Sequence, residues 1–274
     1  MSAISITGVP TTGARVPALK VTQGRVLRSE LTKFRSLRST MYTMATAVVL
    51  MIGLGAVFSA VTASQYKMGA AGINAVGVSL DGTIFAVVAF GVLGALMMSG
   101  EYSTGMIRSS LTAVPRRLPV LWGKLGVFAG TAFAASLVAS FVSFFLGQAL
   151  LSSHHLNVAI TAPGALRSVV GAALYVTVAG LIGVTLGALF RNTAAAIATF
   201  TGVFFVLPLL AGLLPASISN HVAPYLPSNA GEVLWGGVSN LQHALSPWTG
   251  FALLCGYAVV LIGAAAWRLR RADA

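Results

Sequence analysis

Of the 274 residues, 57% are hydrophobic and only 8% are charged, and the formal net charge is +12. Soluble domains carry about a quarter charged residues, so an ordinary water-soluble core is excluded and lipid is the expected solvent. The cations do not point to nucleic acid either: they flank apolar runs, where they set topology and meet anionic headgroups, and no soluble segment is large enough for a nucleic-acid site.

Residues 1–20 are rich in Gly, Pro and Thr and lack the apolar core of a cleavable signal peptide. A disordered tail is expected there. Residues 21–38 place Leu27, Leu31 and Phe34 at helical spacing, with Val26 and Leu37 beside them, among Arg25, Arg28, Lys33, Arg35 and Arg38. That pattern predicts a basic amphipathic helix in the membrane interface, either a topology anchor or an elbow that also touches a partner. The division expected is residues 1–38 as tail plus elbow helix and 39–274 as a transmembrane domain.

Six apolar stretches follow, at 41–63, 80–100, 122–150, 168–190, 194–214 and 248–267. Each approaches or exceeds the ~20 residues a span needs, and each must be helical because lipid offers backbone amides no partner. Numbering the connections alternately puts fifteen of the seventeen Lys and Arg on one side; the other side has Lys67 and Arg167. Basic connections stay cytoplasmic, so both termini are expected in the cytoplasm. The fold class expected is therefore an all-α integral membrane protein of six spans, multi-pass in the cell membrane.

The connection 101–121 is far longer than a simple reversal requires. It predicts a short helix from Thr104 to Thr112, closed by Pro115, and invites a protein contact. Gly126-x-x-x-Gly130 in the third stretch and Gly183-x-x-x-Gly187 in the fourth are spacings that let helices approach closely. The turn Arg191-Asn192-Thr193 forces the fourth and fifth spans into a tight antiparallel pair, and Pro208 predicts a kink in the fifth. Residues 215–247 contain four prolines and apolar pieces too short to span, which fits a pair of re-entrant or interfacial helices.

Several chemistries are missing. There is no Walker A loop, so no nucleotide site of that kind. No carboxylate is expected inside a span, which disfavours proton-coupled transport, and Asp81 reads as a cap at the outer start of the second span. His154, His155, His221 and His243 lie at the outer rim without a clustering Cys or carboxylate, so no metal site is expected. Cys255 reads as an inert packing residue. No catalytic constellation is present, and the chain is not expected to be an enzyme. From the residues alone, a transport subunit and a membrane scaffold or sensor that docks a cytoplasmic protein remain open.

The segment Gly100-Glu101-Tyr102-Ser103-Thr104-Gly105-Met106-Ile107-Arg108, followed by Pro115-Arg116-Arg117 and Lys124, resembles the cytoplasmic loop of bacterial ABC transporter permeases of type 2. Leu27 to Lys33 is similar to that family's entry helix, with Arg28, Glu30 and Lys33 as its charged positions. Leu226 to Gly231, and then Ser246-Pro247-Trp248, look like its last external segment. The ending Arg270-Arg271-Ala272-Asp273-Ala274 departs from the family's more usual Arg-Asp-Ala by Ala272. The resemblance implies the transmembrane subunit of an ATP-driven exporter. Two copies of a separate ATPase would bind Mg-ATP, and this chain would hold no cofactor. A second permease protomer, in a homodimer, would complete the transporter.

Under the same resemblance, Glu101, Thr104, Gly105, Arg108, Pro115, Arg116, Arg117 and Lys124 would couple the membrane domain to the ATPase. Lys124 or Arg108 is the expected partner of Glu101. The cargo implied is a hydrophobic or amphipathic compound (drug, antibiotic, lipid or peptide) exported by alternating access. Phe200, Phe204 and Met97 are the expected lining.

Overall fold

The computed structural model describes residues 23–66, 73–103, 117–237 and 243–271. It is helical throughout, with no strand among the described residues. Six helices are long and apolar enough to cross a membrane: Arg38–Gln65, Ala75–Ser103, Leu118–His154, Ala165–Phe190, Thr193–Gly212 and Pro247–Arg271. All six coincide with the expected stretches. The second begins with a separate short helix, Ala75–Leu80, before the continuous run from Thr83 to Ser103. Asn74 caps that short helix, its side chain accepting from the Gly77 amide at 3.0 Å. Asp81 closes it only through its backbone N–H to the Val78 carbonyl. The capping role expected of Asp81 thus falls to Asn74.

The fourth span is the axis of the bundle and the most buried of the six; the first, fifth and sixth lie at the periphery. Its seam with the second span is made by missing side chains. A Cβ on Gly183 would collide with the Gly91 carbonyl, and one on Gly187 would lie 2.6 Å from the carbonyl of Ala95. Gly94 faces Gly180 in the same way. Apolar solvent drives helices together only through close packing, so small residues at four-residue spacing are what such a seam requires. Gly183→Val is expected to separate the two backbones and cost about 1–3 kcal/mol, read as a lower melting temperature in detergent. Gly130→Val, at a position with no atom within 4 Å of a Cβ, should change little. The Gly126/Gly130 spacing in the third span therefore builds no seam with another span among the described residues.

The short turn at 191–192 forms as expected. Arg191 adopts a left-handed backbone (φ 54°) and its N–H returns to the Gly187 carbonyl. Asn192 then caps the fifth span by accepting from the Ala195 amide at 3.0 Å. Pro208 acts upstream of itself. It has no N–H to give the carbonyl four residues back, and the helix widens into a π turn over Gly202–Val206. Two short helices, Ala216–Val222 and Pro227–Glu232, occupy the segment before the sixth span. Gly250 and Gly231 let the second of these sit close, facing the Ala230 carbonyl and the Tyr175 ring respectively.

Candidate functional site

The elbow helix runs from Gln23 to Ser36 and buries Val26, Glu30 and Phe34, an i, i+4, i+8 stripe. The expected stripe of Leu27, Leu31 and Phe34 is rotated by about one residue, leaving Leu27 and Leu31 partly exposed. The reason is electrostatic. Glu30 takes the inward position because a cation waits beneath it. The helix rests on the start of the third span, where Gly123 opposes Val26 and Gly126 opposes Leu27. Gln23 adds a hydrogen bond from Nε2 to the Pro119 carbonyl at 3.2 Å.

Lys124, on the third span, is 2% exposed. Its ammonium donates to Glu101 Oε1 at 2.7 Å and to Glu30 Oε2 at 2.9 Å. Lys33 closes the group from the rim, with its Nζ 3.1 Å from Glu30 Oε1 and 3.6 Å from Glu101 Oε1. Three separate helices thus share two carboxylates and two ammoniums of zero net charge. Burial works to lower the Lys33 pKa, but the facing Glu30 and Glu101 carboxylates outweigh it and hold the ammonium above its ordinary 10.5. Glu101 Oε2 is buried and finds no hydrogen-bond partner among the described residues. The cluster is therefore tightly paired yet not fully satisfied, an arrangement sensitive to displacement of any one helix.

A cavity of about 410 Å³ lies against this cluster. Its polar end is formed by Glu30, Lys33, Glu101 and Lys124, and its walls by apolar residues including Phe34, Leu93 and Met97. Met97, an expected lining residue, faces this cavity, which no residue of the fifth span lines. Phe200 and Phe204 do not line this cavity: they are buried, stacked on each other at 4.5 Å between centroids, with Phe200 pressed against Gly91 of the second span. Of the residues expected to couple, Glu101 and Lys124 meet as predicted. Glu30 and Lys33 join them, while Arg28 remains exposed on the elbow helix. Arg117 opens the third helix. Thr104, Gly105, Arg108, Pro115 and Arg116, with the short helix expected there, lie outside the described residues, as do residues 1–20.

A third carboxylate, half-buried, sits toward the opposite end. Glu232, at the end of the short helix Pro227–Glu232, lies half-buried beside the fourth span, where Tyr175 donates its hydroxyl to Glu232 Oε1 at 3.4 Å. Burial first, and then the nearby Asp81 carboxylate, push the Glu232 pKa up from 4.5 to about 7, while the Tyr175 hydrogen bond opposes the shift. Asn74 ties this end together by donating Nδ2 to the Gly236 carbonyl at 3.3 Å. Sequence reasoning missed Glu232. The available signal was its isolation, as the sole acidic residue between 192 and 267.

His221 and His243 stack at 6.2 Å between centroids. No group of three or more His, Cys, Asp or Glu side chains is placed to hold a metal among the described residues. Compared with protein-family models and with curated proteins, the chain matches none.

Proposed function

We propose that the chain is the transmembrane subunit of an ATP-driven exporter, energised by a separate ATPase docked at the end that carries the elbow helix. The observation that supports this reading is the buried ion cluster of Glu30, Lys33, Glu101 and Lys124. It joins the elbow helix to the second and third spans at the point where the 101–121 connection leaves the bundle. A push on that connection displaces Glu101, and Glu101 cannot move without drawing on Lys124 and Glu30. A cluster of this kind can convert movement of a cytoplasmic loop into relative movement of membrane helices. The cargo is a hydrophobic or amphipathic compound. The transporter is a homodimer in the cell membrane with the cluster on the cytoplasmic side, in line with the resemblance of residues 100–108 to type 2 ABC permeases and with the one-sided basic charge.

The test is affinity purification of the tagged chain from its native host in mild detergent, followed by protein identification and an ATPase assay. The expected result is a stoichiometric soluble subunit with a Walker A motif and vanadate-sensitive hydrolysis. A chain that purifies alone, with no hydrolysis under several extraction conditions, would leave the scaffold reading in its place. In the complex, Glu101→Gln should reduce export of labelled lipophilic compounds at least tenfold while ATPase binding persists; unchanged export would remove Glu101 from the mechanism.

A further inference from the structure

At the same end of the bundle as the ion cluster, around Tyr102, two guanidiniums converge without an ion-pair partner among the described residues. Arg268, in the last turn of the sixth span, donates Nη1 to the Leu189 carbonyl at the end of the fourth. Arg191 follows two residues after Leu189 and lies over the Tyr102 ring, 5.2 Å from its centroid. Both cations act electrostatically on Tyr102, as does the adjacent Glu101 carboxylate of the ion cluster with the opposite sign. Neither makes an ion pair among the described residues, and the Arg191 Nε–H is buried without a hydrogen-bond partner there. In contrast, the two lysines of the ion cluster are fully engaged with carboxylates.

The surroundings of the pair say which anion fits. Trp267 is 58% exposed and Phe190 43% exposed, side by side in sequence with Arg268 and Arg191. Arg271 stacks on Trp267 at 4.7 Å from its centroid. Exposed aromatic side chains next to cations at span ends are the pattern of a lipid headgroup boundary. Only Arg191 and Asn192 separate the fourth and fifth spans, so the pair sits at the bundle's edge rather than on a projecting loop. Guanidinium forks match phosphate oxygens, and the ties of Arg268 to Leu189 and of Arg191 to Tyr102 hold the forks in place beforehand.

We infer that Arg191 and Arg268, with Tyr102 behind them, form a headgroup site for one anionic phospholipid whose chains run along Phe190 and Trp267. The site requires the six-span bundle but not the transport reading, since headgroup recognition would serve a scaffold equally.

Native mass spectrometry of the detergent-purified chain, titrated with phosphatidylglycerol, phosphatidylcholine or inorganic phosphate, tests this. One tightly retained phosphatidylglycerol is expected, with phosphatidylcholine bound weakly and millimolar phosphate failing to displace the lipid. Arg191→Gln with Arg268→Gln should weaken phosphatidylglycerol binding roughly thirtyfold, at about fivefold per basic residue. Arg35→Gln with Arg38→Gln removes the same charge elsewhere and should cost threefold or less. Arg191→Lys with Arg268→Lys should keep affinity within about fivefold. Should the glutamine pair fail to elute as one species, Arg268→Gln alone is read instead, with about fivefold loss expected. Equal losses in the two glutamine pairs would reduce the effect to bulk charge and overturn the site. Displacement by phosphate would make it a free-anion site. Unchanged lipid binding accompanied by loss of a co-purifying soluble subunit would make the pair a protein contact.

Discussion

Lys124→Met is expected to lower the melting temperature of the purified chain by roughly 10 °C, the equivalent of about 3–5 kcal/mol at this size. Lys124 is the inner of the two cations serving Glu30 and Glu101, and it is almost completely enclosed. Without it, both carboxylates must share Lys33, which is 3.6 Å from Glu101 and partly solvated. One buried negative charge is then left uncompensated. The cost comes from that stranded charge more than from the lost attraction, because two opposite charges brought out of water gain little net stability.

A second substitution separates these terms. Lys124→Met combined with Glu101→Met removes one charge of each sign and leaves Glu30 with Lys33 at 3.1 Å. Most of the lost stability should return in the double variant, a coupling of at least 2 kcal/mol in a double-mutant cycle. If the two single losses simply add, the cluster is not a unit and the transmission role proposed for it fails. Export should not return with stability in the double variant, since the apolar pair no longer ties the second span to the elbow helix. Stability and transport would then part company at the same two residues, which a purely structural cluster would not allow.

The cluster was half legible in the sequence. A chain with five carboxylates cannot spend one casually beside lipid, so Glu101 and Lys124 stood out by scarcity. Glu30 was visible as the acidic member of a basic helix, but its pairing was not. Sequence periodicity assigns a helix's inward face by hydrophobicity, and Leu27 and Leu31 outweighed one glutamate in that count. The real face was set by Lys124, 94 residues away, and no local pattern contains that information. The spans were the most legible feature because their signal is additive over some twenty residues. The glycine seam was legible as a motif, though not in its partner: Gly183 and Gly187 meet the second span, while the matching spacing in the third span meets the elbow helix once and open space once. Phe200 and Phe204 show the same limit. Aromatic residues in a span are named equally by lining and by packing, and the small Gly91 opposite them made packing the outcome.

Glu232→Gln is expected to change how stability depends on pH rather than to lower it everywhere. In the folded chain this carboxyl holds its proton up to about pH 7, whereas its ordinary value is 4.5. The folded state therefore binds more protons than the unfolded state between those values, and stability falls as pH rises through them. Its contribution is complete below about pH 4.5, declines across 4.5 to 7, and is flat above. The shift corresponds to about 3 kcal/mol in total. Glutamine cannot ionise, so the variant should lose this slope. Near pH 4.5 it should match the wild type, and at pH 8 it should be more stable by most of that amount. The groups facing Glu232 are Tyr175 and Asp81, and they give the prediction a second handle. The Tyr175 hydroxyl favours the ionised form by donating to it, so Tyr175→Phe should extend the decline to higher pH. Asp81→Asn removes a neighbouring negative charge and should end the decline at lower pH. Thermal unfolding in detergent at half-unit pH steps, for the wild type and these three variants, reads all of these shifts. A wild type and a Glu232→Gln variant with parallel profiles would mean that the carboxyl ionises without cost. Glu232 would then be hydrated rather than held against the fourth span, at the end of the bundle opposite the ion cluster.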